Sequence, residues 1–367
     1  MQYRQFGRTH KMLSALGFGA MRLPKDRDYA IQCIRRSLDL GVNFVDTAPG
    51  YGDSELIVGE AIKDRRRDVY LSTKNPIGDD MSATGWRQRL EKSLERLQTD
   101  YIDFYQVVHS LSWKQYTGGF AEPGAGLDEA RKAKEQGIIH HMCFSCHDTP
   151  ENIVRLIDTG DFEGMIVQYN LLDRKNEHAI AHAADCGMGV IVMGPVGGGR
   201  LAAPSQEIRG LIPGGTKSSA EAALRFVLSN PNVTCAISGM NTIEMVDENC
   251  ATASREEPLT ELERQYLLDM LEEKQKFADL YCTGCGYCMP CPNDVNIPQN
   301  FTIMNYHRVY GLTQYAKQQY KRFGAERWPL DGKNAGACEE CGECEPKCPQ
   351  NIKIIEQLRE VHRTLSD

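Results

Sequence analysis

Eight short apolar runs punctuate the first two-thirds of the chain, at residues 16–20, 42–46, 69–73, 102–108, 138–144, 165–168, 189–193 and 233–238. Few of them alternate polar with apolar positions, which is how strands buried on both faces read. Between them lie stretches of helical periodicity at 29–40, 55–63, 86–97, 127–136, 151–159, 177–186 and 220–228, and another at 242–251 follows the last run. Eight strand–helix units in succession predict an α/β fold, a (β/α)8 barrel of the TIM type. A doubly wound sheet is the runner-up and needs a Gly-rich dinucleotide turn after its first strand. Gly17-Phe-Gly19-Ala-Met-Arg22 lacks the third glycine and runs into Leu23-Pro24, so that fingerprint fails.

Beyond residue 255 the pattern changes. A charged helix is predicted at 260–278, opened by a capping box of Thr260 and Glu263. Two cysteine runs follow. The first is Cys282-Thr-Gly-Cys285-Gly-Tyr-Cys288-Met-Pro-Cys291-Pro292, and the second is Cys338-Glu-Glu-Cys341-Gly-Glu-Cys344-Glu-Pro-Lys-Cys348-Pro349. Three thiolates at C-x2-C-x2-C spacing can wrap the corners of one iron–sulfur cube, and a fourth Cys before Pro completes the run typical of bacterial two-cluster ferredoxins. Structural zinc is the competing chemistry. Its sites usually use two C-x2-C pairs separated by a longer loop, whereas each run here supplies four Cys in immediate succession. The expected ligands are therefore Cys282, Cys285, Cys288, Cys291, Cys338, Cys341, Cys344 and Cys348, around two [4Fe–4S] clusters. The insert between the runs carries one predicted helix, at 306–322. The organisation expected is a barrel over 1–258, a linking helix over 259–278 and a small ferredoxin-like iron–sulfur domain over 279–367.

Composition narrows the function class. The formal charge of −8 gives no reason to expect a nucleic-acid partner. No apolar stretch approaches the roughly 18 residues of a membrane helix, and the opening residues lack the apolar core of a signal peptide. A cytoplasmic location is expected. In that reducing compartment the 14 cysteines read as thiols and metal ligands.

In such barrels chemistry gathers at the C-terminal ends of the strands. The second run ends in Phe44-Val-Asp46 and continues to Tyr51, the third ends before Lys74, and the fourth leads to His109. An acid, a phenol, an amine and an imidazole thus leave three adjacent strands on one rim. With the opening Tyr3-Arg-Gln-Phe-Gly and the Ala48-Pro-Gly-Tyr51-Gly turn, residues 1–255 resemble the aldo-keto reductase superfamily. Asp46, Tyr51, Lys74 and His109 match its catalytic tetrad. The tail resembles the ferredoxin-type extension of some members. A carbonyl that receives hydride becomes an alkoxide and needs a proton at once. Tyr51 would supply it, Lys74 would lower the phenol pKa, Asp46 would hold Lys74, and His109 would orient the substrate oxygen.

The resemblance implies a nicotinamide dinucleotide, NAD(P)(H), across the barrel mouth. Its carboxamide would meet Ser145, Cys146 and Gln168, with Cys146 standing where the family usually shows Asn. Gly194, Gly197 and Gly199 resemble the loop that cradles the pyrophosphate. Met193 replaces the usual stacking aromatic. Glu248 and Asn249 would face the adenine, while the usual 2′-phosphate cations appear as Gly239 and Met245, so NAD is favoured over NADP. FMN is the alternative cofactor, able to mediate between hydride pairs and single electrons. Two-cluster ferredoxins interleave their ligands, which implies Cys282, Cys285, Cys288 and Cys348 on one cluster and Cys338, Cys341, Cys344 and Cys291 on the other. The first run departs from that pattern, with two residues before its last Cys in place of three.

The leading expectation is an oxidoreductase that acts on a small-molecule carbonyl or alcohol and moves electrons through the tail, with a small redox protein as a further partner. The alternatives are an electron-transfer or binding module with a degenerate or flavin-containing barrel, and clusters that only brace the fold. Trp113, Tyr116 and Phe120, in the long segment after the fourth run, are expected to line or cover the pocket.

Overall fold

The computed structural model describes all residues except 77–79, 256–258, 280–281, 283, 327–328 and 367, and gives no side-chain account of Arg200, Phe277 and Asp279. The boundary expected at 258 falls on residues outside that description.

Chain packing divides the protein into two compact units. The first comprises Met1–Gly198 with Ala223–Leu259, and the second Gly199–Ala222 with Thr260–Asp367. An antiparallel hairpin of β1 (Tyr3–Gln5) and β2 (Met12–Ser14) opens the first unit. Then come β3 (Leu16–Gly19), β4 (Phe44–Asp46), β5 (Tyr70–Lys74), β6 (Ile102–Gln106), β7 (Ile139–Cys146), β8 (Gly164–Gln168), β9 (Gly189–Met193) and β10 (Cys235–Ser238). These eight pair in parallel in sequence order, and β10 returns to β3, closing the barrel. All eight apolar runs are barrel strands, and the doubly wound alternative is excluded by the closure. Helices follow the strands, and several open on side-chain caps. Asp26 accepts from Tyr29 N at 2.8 Å, and Thr149 from Asn152 N at 3.4 Å.

The hairpin has no counterpart in the sequence reading. Its role is to deliver Phe6, which is wholly buried, to the N-terminal end of the barrel. The Phe6 ring meets Phe104 edge-on, with centroids 4.6 Å apart. It also occupies the space that a Cβ on Gly164 or Gly189 would need, with ring atoms 2.1 and 2.3 Å from those positions. The first residues of β8 and β9 are glycine because an aromatic plug lies against them.

In the second unit, the Thr260–Glu263 capping box forms as expected. Glu263 N donates to Thr260 Oγ1 at 3.2 Å, and Thr260 N donates to Glu263 Oε2 at 2.8 Å. It opens helix Glu261–Asp279. The single helix expected at 306–322 is instead two, Ile297–Arg308 and Thr313–Tyr320. The break is a left-handed glycine cap: Gly311, at φ 63°, donates its N–H to His307 O at 3.1 Å, and Leu312 N donates to Tyr306 O at 2.8 Å. These helices and Ile354–Leu365 share a core of Phe301, Ile303, Met304, Tyr320, Leu358 and Val361.

Phe6→Ala leaves a cavity at the barrel floor. It should destabilise the barrel by about 3–5 kcal/mol, read as a lower urea midpoint, whereas Tyr3→Ala on the exposed hairpin face should change it little.

Candidate active site and cysteine cavities

Asp46 and Lys74 are the last residues of neighbouring strands. Lys74 Nζ donates to Asp46 Oδ1 at 2.7 Å, to Oδ2 at 2.6 Å and to the Thr47 carbonyl at 2.8 Å. Both side chains are only 3% exposed. Ser72 Oγ donates to Asp46 Oδ1 at 2.9 Å and fixes the carboxylate from below. Tyr51 ends the short turn Pro49–Tyr51 beyond β4. Its ring centroid lies 5.2 Å from Lys74 Nζ. His109, three residues past β6, meets Tyr51 edge-on at a centroid distance of 6.0 Å. The four rim residues expected from strand ends are thus brought together.

Two residues the sequence reading missed hold this arrangement. Arg96 Nη2 donates to the Gly52 carbonyl at 2.5 Å, and its Nε donates to Glu55 Oε2 at 2.9 Å. Glu55 is wholly buried and accepts at Oε1 from Thr73 Oγ1 at 2.8 Å. The turn that carries Tyr51 is thereby tied to the strand that carries Lys74. No local motif signals this link, because its parts are remote in sequence.

Electrostatics revise one expectation. Burial pushes the Tyr51 phenol above its ordinary value, and the Lys74 ammonium pulls it only part of the way back, because Asp46 opposes it. The net shift is upward, not the decrease expected from Lys74 alone. Burial likewise disfavours the charge on Lys74, but Asp46 and Tyr51 outweigh it and keep the amine's pKa above normal. His109 is pushed down to about 4 by burial and by Lys74, with His147 adding to the effect. Near neutral pH the site therefore holds a protonated phenol, an ammonium and a neutral imidazole.

The expected cofactor residues spread around the rim. Ser145 is buried, and its hydroxyl accepts from Ser110 N at 3.0 Å. Cys146 is wholly buried, its Sγ accepts from Asp148 N at 3.3 Å, and burial raises the thiol to about 11. The Gln168 amide lies against Gly194, where an added Cβ would fall 2.6 Å from Gln168 Oε1. Asn170 Nδ2 donates to the Gly194 carbonyl at 3.1 Å. Gly194, Gly197 and Gly198 take φ of 64°, 56° and 67°, left-handed conformations that turn backbone amides into a loop few side chains would permit. Gly199, at φ 95°, begins the segment grouped with the second unit. Met193 is half-buried and Glu248 exposed, while buried Asn249 donates through Nδ2 to Ser238 Oγ at 3.3 Å.

Arg22 is a further rim residue that the sequence reading passed over. Its Nη2 lies 3.3 Å from the Cβ position of Gly198, and its own Cβ 3.8 Å from that of Gly239. Among the described residues no carboxylate pairs with it.

Of the aromatics expected to line or cover the pocket, Trp113 and Tyr116 are half-buried and Phe120 is buried. Phe120 is wholly buried, against Gly126 and Trp86. Tyr116 Oη donates to Asp161 Oδ2 at 2.5 Å, and Trp113 stacks on Tyr116.

The eight clustered cysteines line two adjacent cavities in the second unit. One is lined by Cys282, Cys285, Cys288 and Cys348. The other is lined by Cys291, Cys338, Cys341 and Cys344, with Cys288 in the shared wall. Each cavity thus draws on both runs, in the grouping expected for interleaved ligands. With the shared Cys288 counted in the first cavity, each has four thiols, a donor set suited to an iron–sulfur cube.

Comparison with known proteins agrees with this architecture. The Aldo/keto reductase family pattern matches residues 15–267, and the 4Fe-4S dicluster domain pattern matches 281–353. An uncharacterised oxidoreductase of Bacillus subtilis, YqkF, is 29% identical over 292 residues, 69% of this chain and 92% of its own length. An Escherichia coli protein named NADH-specific methylglyoxal reductase is 30% identical over 58% of this chain and 72% of its own length. Among solved structures, the holo form of aldo-keto reductase AKR11C1 from Bacillus halodurans superposes with a TM-score of 0.65. It has 30% identity and covers 74% of this chain and 96% of its own. The chain belongs to the aldo/keto reductase family, and it carries a 4Fe-4S dicluster domain at its C-terminal end.

Proposed function

We propose that this oxidoreductase interconverts a small carbonyl compound and its alcohol at the barrel mouth with NAD(H), and that its dicluster domain exchanges electrons with a small redox protein. The observation that carries the first half is the buried Lys74–Asp46 pair beneath a protonated Tyr51 and beside a neutral His109. A bound nicotinamide would supply or accept the hydride. Tyr51 Oη gives the proton to the nascent alkoxide, and Lys74 stabilises the phenolate left behind. His109, neutral, donates a hydrogen bond to the substrate oxygen without competing for the proton.

The residues that would hold the dinucleotide fit it. Ser145 and Gln168 would meet the carboxamide, while Cys146, its sulfur engaged by Asp148, would stay behind them. The amides of Gly194, Gly197 and Gly198 would face the pyrophosphate, with the Arg22 guanidinium as its counter-charge. Glu248 and Asn249 would lie toward the adenine. Gly239 and Met245 offer no cation to a 2′-phosphate, which favours NAD. The Escherichia coli relative's name is in keeping with that preference.

Each cluster would be held by the four thiols of one cavity. A nicotinamide moves its two electrons together as hydride, whereas each cube passes one at a time, so the clusters would exchange single electrons with the redox protein, apart from the hydride step at the barrel mouth. Cys288, in both cavity walls, would lie between the clusters.

Three outcomes follow. Tyr51→Phe should lower kcat for aldehyde reduction by about 10²–10⁴ with KM nearly unchanged, and retained turnover would remove Tyr51 from the reaction. In the unmutated enzyme kcat/KM should be flat from just above the His109 value of about 4 to the elevated Tyr51 value, where loss of the phenol proton ends it. Second, NADH should bind more tightly than NADPH in a fluorescence titration. Arg22→Ala should weaken NADH by about tenfold to a hundredfold, the worth of a charge-assisted hydrogen bond. Flavin bound stoichiometrically in place of nicotinamide would overturn the cofactor assignment.

Third, anaerobically purified protein should contain about eight iron and eight sulfide, two four-iron cubes. Its dithionite-reduced clusters should be reoxidised by an oxidised small redox protein of higher potential. If the clusters stay reduced in its presence while NADH-dependent turnover proceeds, the electron-transfer half is disproved and the barrel chemistry stands alone.

A further inference from the structure

A third group of donors lies on the outer helices of the barrel, unused by the chemistry above. Helix Glu177–Asp185 carries His182, and Cys186 caps it, its N donating to the His182 carbonyl at 3.0 Å. Four residues apart on a helix, the two side chains share one face. Asp158 ends the neighbouring helix Pro150–Asp158. Helices in a (β/α)8 barrel run opposite to the strands, so these helix ends lie at the face away from the catalytic rim.

The contacts are unusual in converging on one atom. His182 Nε2 is 2.6 Å from Asp158 Oδ1 and 3.8 Å from Cys186 Sγ. The three donor atoms all lie within 4.8 Å of one another. One ring nitrogen has either a proton or a lone pair to offer, so it cannot satisfy both neighbours. With a proton on Nε2 the carboxylate is served, and the sulfur stands at a distance too long to gain much. A cation at the centre engages all three at once.

We propose that Asp158, His182 and Cys186 form a zinc-binding site. Sulfur, imidazole nitrogen and carboxylate oxygen are the three donor types zinc takes in proteins, at about 2.3, 2.0–2.1 and 2.0–2.2 Å. Tetrahedral placement at those lengths separates N from S by about 3.6 Å, close to the spacing here, and N from O by about 3.3 Å. The Asp158–His182 pair opens slightly as the metal replaces the shared proton. Asp158, 57% exposed, has room to do so. Water takes the fourth position, since the group faces solvent. The metal fastens the end of one barrel helix to the next.

The test uses the holoprotein with its clusters intact, so that their cysteines are already ligated. Zinc sulfate titrated anaerobically into it, with metal content then measured after gel filtration, should give about one zinc per chain, the complement of a single three-donor site. Cys186→Ser and His182→Ala should each abolish that zinc, with iron and sulfide content unchanged. Asp158→Asn should weaken it by at least about tenfold, a loss typical even of an outer-shell partner. Zinc should also slow alkylation of Cys186, read by peptide mapping. No saturable zinc in the unmutated protein, or the same stoichiometry in the Cys186 and His182 variants, would overturn the assignment.

Discussion

A lysine ammonium and an aspartate carboxylate, each almost wholly removed from water, sit at the end of two adjacent strands. Neither charge is tolerable there alone. Deleting one partner of such a pair typically costs about 3–5 kcal/mol, because the other charge is left buried and uncompensated. The pair therefore constrains its surroundings. It requires β4 and β5 to be neighbours in register, the Thr47 carbonyl to turn toward Nζ, and Ser72 to lie beneath the carboxylate. Tyr51 is placed over this charge by the following turn, which Arg96 and Glu55 lock to β5. The position of the Tyr51 phenol at the rim thus depends on an ion pair sheltered by the closed sheet.

The same constraint explains what was legible in the sequence. Strands buried on both faces need uninterrupted apolar runs, so all eight barrel strands were visible. Polar residues terminating those runs had to be at the rim, which made Asp46, Lys74 and His109 readable. The hairpin was not, because three-residue strands show no periodicity and Phe6 looks like any apolar residue until Gly164 and Gly189 are seen beneath it. The break at Gly311 was hidden for a related reason. Helical spacing continues on both sides of it, and only the left-handed turn reveals two helices. Arg22 and Arg96 act through elements distant in sequence, so no motif contains them.

The sign of the Tyr51 shift shows a different limit. A lysine beside a phenol lowers its pKa in any medium, and that much follows from residue type. Burial raises it, and burial is a property of the fold. Here burial wins, partly because Asp46 already neutralises the lysine's field. For the proton donor proposed above this is the useful outcome, since the phenol stays protonated near neutral pH.

The cysteine unit balances metal and polypeptide in another way. The 46 residues between Cys291 and Cys338 would be clamped by clusters at both ends if the ligands interleave. Yet backbone pairing also closes this insert, through Lys333 N to Asp294 O at 2.7 Å and Asn296 N to Lys333 O at 3.1 Å. Asn300 adds to it, accepting from Ala335 N at 2.9 Å. The second run is therefore carried back beside the first by ordinary hydrogen bonds, and the donors of both cavities are grouped by the polypeptide itself. The single departure from ferredoxin spacing, before Cys291, is accommodated because Cys291 needs only to reach the second cavity, and the closed insert fixes where that cavity lies. What metal would add is different in kind. Cys288 is buried and Cys291, Cys338 and Cys348 pack against the apolar core, where uncoordinated thiolates would be costly. Coordination would remove that cost, so the chain supplies the geometry of the site and the clusters its charge balance.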